Sequence, residues 1–503
     1  MPTRKRPGDR GRSRAAAGRA ARGFATAALV LAVLGPLAPT RTPCASELAP
    51  RADSDADVPT LTLSHAVQRA LEENFTLTAA EHAEAAAAWA HRRALSQLLP
   101  SVSLESRYTR LDEETVERAN AIGRELTMFF PDSTGELQPF TIEIPQTVFR
   151  NGYETSISAQ LLLLNPALWN GVSLAGAARE LAAEEVASTV NATIHQTLTA
   201  FIELLRLRSL AALQRQHVAQ AEENVALAER LYDVGRYAEA DVLRWRVEAA
   251  QQKDALYEQQ RGVRVAAVTL ENLIGADPSG RVRPARDLPP RLQAEIEAFL
   301  ALEERDWERL LARPLEEIVA AHPRLRILNE TARLAELEHR QSLTNFLPSI
   351  AVIGSYGWQN NDTIELDGDK AWSVSAALSV PLFTSFNNYA ERQRTKSRLL
   401  ETRANIGEAR RGVLLAAEAA RSAIRSSAAQ YELATASLAS ARRSHEIQRN
   451  QYTLGRLSNL EWIDANLALQ SAEQAHTSAY YDLVIAIADY YEARGEIRHL
   501  LEL

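Results

Sequence analysis

The sequence predicts a mainly α-helical, internally duplicated chain in which two pairs of short β-strands are set among long antiparallel coiled-coil helices. Composition is the first reason. The chain has 503 residues, 46% hydrophobic and 24% charged, with only 21 Gly, 20 Pro and 2 Met and 6% aromatics, the profile of Ala, Leu, Glu and Arg in helices. The second reason is a repeated tip: Arg230–Leu243, RLYDVGRYAEADVL, returns as Gln451–Ile463, QYTLGRLSNLEWI. In both copies a tyrosine precedes an apolar-Gly-Arg step, and an acidic residue follows, so that Gly235 matches Gly455, Arg236 matches Arg456 and Asp241 matches Glu461. The third reason is that the hydrophobic period changes from 3.6 to 2 in four short runs, two in each half.

Residues 1–45 read as a secretory signal peptide. Eight basic residues between Arg4 and Arg22 precede an apolar run from Phe24 to Ala38, which Pro36 and Pro39 break too soon for a membrane span. A basic arm for nucleic acid would not need that run. Cleavage fits after Ala38 or Ala45. The lone cysteine, Cys44, follows Thr42 and Pro43 rather than the small apolar residues expected before a lipidated cysteine. The formal net charge of −8 becomes more negative once the basic leader is gone, which argues against nucleic acid as a partner. Cleavage after Ala45 also removes the thiol, so disulfides play no part.

The first repeat is assigned to residues 46–275. A polar lead-in precedes a helix from Ser64, a plausible N-cap, to about Gln97, stopped by Pro100. In the next run Val102, Leu104, Ser106 and Tyr108 share one face, opposite Ser103, Glu105 and Arg107. The partner run, Ser156 to Leu164, sets Ile157, Ala159, Leu161 and Leu163 against Ser156, Ser158 and Gln160. Residues 109–155 between them are polar and turn-rich, and read as a large surface loop. A proline-free helical pattern then runs from about Leu168 to Asp233, with a heptad seam through Leu204, Leu207, Ala211, Gln214, Val218, Ala221, Val225, Ala228 and Tyr232. At ~1.5 Å per residue this is a rod on the order of 100 Å long. A shorter helix returns from about Ala238 to Ile274.

Residues 276–312 are assigned as a linker, rich in Gly and Pro, followed by a short charged helix from Arg291. The second repeat, residues 313–503, begins the pattern again: NFLPSIAVIGSY echoes SQLLPSVSLESRY, aligning Pro348 with Pro100. Its strands are Ile350 to Trp358 and Trp372 to Val380, joined by a much shorter loop. A second long helix from about Ser385 to Thr453 and a last one from about Arg456 to Leu500 complete it.

Four strands cannot close a useful barrel, and in a membrane every strand edge must be paired. A cyclic oligomer meets this requirement, since three chains supply twelve strands. Strands near nine residues suit a tilted membrane span, with Tyr108, Trp169, Tyr356, Trp358, Trp372 and Tyr389 near their ends. The competing arrangement is a small soluble sheet capping a helical bundle.

With the duplicated Leu-Pro-Ser junctions (Leu99, Pro100, Ser101 and Leu347, Pro348, Ser349), the strand-to-helix steps after Leu164 and Phe383 and the two glycine tips in place, the chain resembles the TolC-like outer-membrane efflux proteins from about Leu61 to Leu503. The resemblance implies a homotrimer in the outer membrane: a twelve-stranded transmembrane β-barrel continuous with an α-barrel in the periplasm. It implies an export duct for small molecules or secreted proteins in tripartite efflux or type I secretion, with a periplasmic adaptor, an inner-membrane transporter and outer-membrane lipid as partners. It also implies that Val234, Gly235 and Arg236 and their counterparts Leu454, Gly455 and Arg456 meet the adaptor, and that Glu461 and Asp464 ring a periplasmic gate.

The residues themselves leave alternatives open at these positions. Glycine suits a helical reversal that needs positive φ, and the adjacent arginine serves either an adaptor contact or the free carbonyls of the helix end. Glu461 and Asp464, three apart, share a helix face. They either form rings of carboxylates that draw cations inward or complement the helix dipole.

No enzyme is expected. His445-Glu446 begins like a zinc-protease helix, but Arg449 stands where the second histidine is needed; no phosphate loop or serine elbow appears. Asp367-Gly368-Asp369 lacks the further ligands of a calcium loop, so no metal or cofactor is expected. The alternative to an export duct is a soluble periplasmic coiled-coil adaptor or scaffold, which has no need of duplicated strand pairs.

Overall fold

The structure is a computed structural model, and it describes residues 60–501 apart from 122–124, 132–134, 144–147, 313, 319–321, 362–365, 367 and 455. The expected signal peptide and Cys44 lie outside the described residues, as does Gly455.

The elements run in order as β1 (Thr60–Leu61), α1 (Leu63–Glu73), α2 (Phe75–Ser96), β2 (Ser101–Arg110), α3 (Glu113–Ala121), β3 (Glu125–Pro131), β4 (Leu137–Glu143) and β5 (Asn151–Leu164). Next come α4 (Pro166–Asp233), α5 (Glu239–Leu273), β6 (Arg283–Pro284), α6 (Pro290–Leu300), α7 (Glu304–Leu311), α8 (Leu315–Ile318) and α9 (Pro323–Thr344). Then follow β7 (Ser349–Asn360), β8 (Asp369–Ser379), α10 (Asn387–Thr453), α11 (Asn459–Ala493) and a closing 3₁₀ turn, Ile497–Leu501.

Four sequence expectations need correction. The first helix is two helices, because Asn74 breaks it: Asn74 Oδ1 accepts from the amides of Thr76 and Leu77, capping α2. The N-cap of α1 is Thr62, whose hydroxyl accepts from His65 N, not Ser64. The supposed surface loop 109–155 holds helix α3 and the hairpin β3–β4, which an alternation weaker than that of the sheet strands had concealed. The single charged helix after the linker is a pair, α6 and α7, whose Leu292, Ile296, Phe299 and Trp307 are buried in the largest core.

The long helices behave as the heptads predict. Helix α4 has 68 residues and α10 has 67. Alongside α4 the shorter helices meet end to end. Asn74 Nδ2 donates to Leu273 O at 2.9 Å, joining the start of α2 to the end of α5. Gly275 makes this junction possible: its φ is +66°, and a Cβ there would sit 2.7 Å from Glu73 O. In the second half α9 and α11 both pack against α4 and α10. The main core lies at this waist, where Ile194, Leu198 and Phe201 of α4 meet Leu483 and Ile487 of α11 and the small helices.

The four principal strands form one antiparallel sheet in the order β2-β5-β7-β8. Register puts Val102, Ala159, Gly354 and Val374 in one row, and Leu104, Ile157, Tyr356 and Trp372 in the next. That face is apolar. The other face is polar, with Ser103–Ser158 and Ser355–Ser373 hydroxyl pairs, each 2.8 Å apart. Strands β2 and β8 are exposed along their whole length, because each is an edge with nothing beside it.

Candidate functional site at the helical tips

The first tip is a helical reversal built from backbone bonds. Helix α4 ends at Val234, and Gly235 takes φ +70°, so that the amides of Gly235 and Arg236 donate to Tyr232 O and Leu231 O, both at 2.8 Å. At the second tip the amide of Arg456 donates to Gln451 O at 2.9 Å. It is therefore the backbone amide of each arginine that closes the helix end, while both arginine side chains are exposed. Val234 and Leu454 project into solvent, 67% and 68% exposed.

The matched acids Asp241 and Glu461 do the same local work. Asp241 accepts from the amide of Ala238 at 3.3 Å. Glu461 accepts from the amide and the hydroxyl of Ser458 at 2.8 and 2.7 Å, and its own amide donates back to Ser458 Oγ. The Ser458 bonds hold the Glu461 carboxyl below the usual carboxylate range. Asp464, one turn on, is exposed, and among the described residues nothing bonds its carboxylate.

The tips are also tied to each other, chiefly by Trp245, Trp462 and Asn459, which the sequence did not single out. Trp245, Trp462, Val242, Ala228 and Ala465 form a small core, flanked by Tyr237 and Tyr452. Trp245 Nε1 donates to Asn459 Oδ1 at 2.6 Å, and Asn459 Nδ2 to Asp241 Oδ1 at 3.3 Å. The Tyr237 hydroxyl donates to that of Tyr452, whose ring stacks on Trp462 at 5.2 Å. Burial, and then the contact with Tyr237, push the Tyr452 phenol far above its ordinary value. The detectable signal was Trp245 and Trp462, large apolar residues just after the matched acids. Tyr232 and Tyr452, aligned in the repeat, part company here: Tyr232 is exposed.

Above the tips a polar seam joins hairpin α4–α5 to hairpin α10–α11. Gln252 Nε2 donates to Gln470 at 3.0 Å, Gln474 to Gln214 at 3.3 Å and Gln220 to Asn466 at 2.9 Å. His217, 3% exposed, lies 3.2 Å from Glu473, and His195 lies 2.7 Å from Asp489. Gln214, the one polar break in the predicted heptad seam, is thus a buried member of this network. Directional polar contacts of this kind set the two hairpins in register.

This architecture has known counterparts. The family described as outer membrane efflux protein matches residues 66–276 and 315–496. The chain belongs to that family. Among curated relatives, the outer membrane efflux protein BepC of Brucella suis is 24% identical over 408 residues, covering 77% of this chain and 80% of the relative. Among solved structures, the Campylobacter jejuni CmeC outer membrane channel superposes with a TM-score of 0.71 at 18% identity, covering 86% of each chain. The outer membrane protein VceC of Vibrio cholerae superposes with 0.68 at 16% identity, covering 86% of this chain and 96% of its own.

As an outer membrane efflux protein it is a TolC-like channel, not an enzyme. Among the described residues no three His, Cys, Asp or Glu side chains are grouped to hold a metal ion, and no helix is long and apolar enough to cross a membrane.

Proposed function

We propose that this efflux protein is the exit duct of a tripartite export system, formed by three copies whose sheets close a twelve-stranded barrel in the outer membrane and whose helices line a periplasmic tunnel. The observation that carries it is the sheet. One face is apolar, the other carries serine pairs, and both edges are bare, while its strands lead directly into helices of 68 and 67 residues. A bare edge in lipid costs several kcal/mol per unpaired group, roughly, so neighbouring copies must pair β2 with β8.

In this reading the tips face the periplasmic adaptor. The exposed Val234 and Leu454, with Gly235, Arg236, Gly455 and Arg456, offer an apolar point flanked by positive charge. Asp464, unpartnered among the described residues, supplies the gate carboxylate, and Glu461 adds a charge already fixed by its cap. An inner-membrane transporter delivers cargo through the adaptor.

Membrane fractionation with a mass measurement on the detergent-extracted protein tests this. A trimer in the outer membrane fraction is expected. Recovery as a soluble monomer from the periplasm would replace the duct by a coiled-coil adaptor or scaffold.

A further inference from the structure

A cavity of about 730 Å³ opens between the end of α11 and the start of α9. Three arginines, Arg326, Arg494 and Arg498, line it together with His499, Asn191 and Tyr491. Since α9 and α11 both pack against α4 and α10, the cavity is built wholly within one chain, away from the sheet edges that need a neighbour.

Its charge is unbalanced. Arg326 pairs with Glu184 at 3.0 Å and Arg494 with Glu496 at 2.6 Å. Arg498 has no carboxylate among the described residues; its Nε donates to Asn191 Oδ1 at 3.1 Å, which aims the side chain and leaves its outer nitrogens free. A fourth guanidinium, Arg291, lies against the His499 ring, 3.1 Å from Nδ1, and its Nε is buried with no hydrogen-bond partner. Of the three guanidiniums that line the cavity, Arg326 and Arg494 are each matched by one carboxylate, and Glu295 is engaged by the Tyr491 hydroxyl, which leaves Arg498 as the lining cation without a carboxylate among the described residues. The start of α9, with Pro323 at its first turn, adds the positive end of a 22-residue helix.

The arrangement is rigid. Ile497 and Leu500 are fully buried, which fixes the turn that carries Arg498 and His499 outward. Arg494 lies 5.5 Å from the ring centroids of both Tyr490 and Tyr491, and His499 stacks on Tyr491. Like charges held together on a fixed frame repel unless an anion settles them, and guanidiniums bind oxyanions by paired, directional hydrogen bonds.

We propose that this cavity binds a small organic anion carrying carboxylate or phosphate groups, with Arg498 as its principal partner and Arg326 and Arg494 as flanking ones. The volume exceeds what a bare phosphate fills, and Ala187, Pro323 and the Tyr491 ring give one wall an apolar character suited to a carbon body. A bilayer headgroup is out of reach, because Ala187 and Asn191 lie some six turns along α4 from the sheet, roughly 35 Å at the helical rise.

Calorimetric titration of the full-length protein in detergent, at constant ionic strength, tests this with citrate and inorganic phosphate as probes. Saturable citrate binding, one per chain and tighter than phosphate, is expected, with at least a tenfold loss in R498Q and none in R309Q, whose exposed arginine lies outside the cavity. N191L, which removes the side chain that aims Arg498, is expected to weaken citrate binding without removing a charge. No saturable citrate binding, wild-type binding by both R498Q and N191L, or equal weakening in R309Q overturns the proposal. Phosphate binding as tight as citrate overturns the organic-anion assignment.

Discussion

Trp245 Nε1 and Asn459 Oδ1, 2.6 Å apart, join the two helical tips of one chain. Asn459 stands at the first position of α11 and also reaches Asp241 at the start of α5, so a single amide side chain bridges both hairpins where they turn. In the proposed duct, with its gate at the second hairpin, this bond is expected to restrain opening.

Asn459→Ala is therefore expected to raise the open probability in planar bilayers by about tenfold, since losing a part-buried hydrogen bond costs on the order of 1 kcal/mol, and to leave trimer yield unchanged. Unaltered gating would show that the tie is merely structural.

Asp464→Ala is expected to raise single-channel conductance or abolish block by trivalent cations, because its carboxylate is exposed and, among the described residues, unpartnered. Glu461→Gln should act differently. It weakens the cap at Ser458, so its main effect is expected on stability, on the order of 1 kcal/mol by thermal unfolding. If Asp464→Ala leaves both conductance and block as they were, the carboxylate serves only the helix dipole.

Glu271 is 2% exposed in the waist. Burial alone would raise its pKa, but the amides of Gly280, Val282 and Arg281 and the Ser279 hydroxyl, at 2.6 to 3.1 Å, hold it below the ordinary carboxylate range. A carboxyl whose folded pKa lies below its unfolded value stabilises the fold fully above the unfolded pKa and loses that contribution as pH falls through the folded one. Glu271→Gln is expected to lower the unfolding midpoint at neutral pH, with the gap to wild type closing as pH drops below the carboxylate range.

On the sheet, Val374→Arg places a charge on the apolar face and is expected to reduce insertion, at a cost of about 2–4 kcal/mol if the site lies mid-bilayer. Ser158→Arg, on the opposite face, should insert normally and change conductance. Equal insertion of the two, measured by outer-membrane recovery, would contradict the assignment of faces.

Gly275→Ala is expected to destabilise the waist more than Gly235→Ala. Both positions have positive φ, but only Gly275 has backbone and side-chain atoms of Glu73 where the new methyl must go; the space around Gly235 is open. Thermal unfolding of the two variants side by side decides it.

The period-2 runs and heptads named the sheet strands and long helices because such elements obey local periodicity, which any stretch of chain displays by itself. Alternation alone puts Val102 and Leu104 on one face of their strand, and the register sets Val374 on that same face. The weaker pattern of β3 and β4 was read as loop, and Asn74 was missed as a break because its cap depends on a carbonyl far along the chain, Leu273 O.

What the sequence determined by itself was the duplicated order of elements, the apolar and polar faces of the strands, and the glycine tips, since each follows from side-chain spacing and backbone freedom. Only the tertiary structure decided that Trp245 meets Asn459, that Gln214 is buried rather than a flaw in the seam, and that arginines from α9, α11 and the last turn converge at one cavity. These relations join residues from different helices, far outside any local window of sequence. Nothing in the spacing along one helix says which residue of another it will face; that is decided by how far the helices slide before their side chains pack and their polar groups find partners.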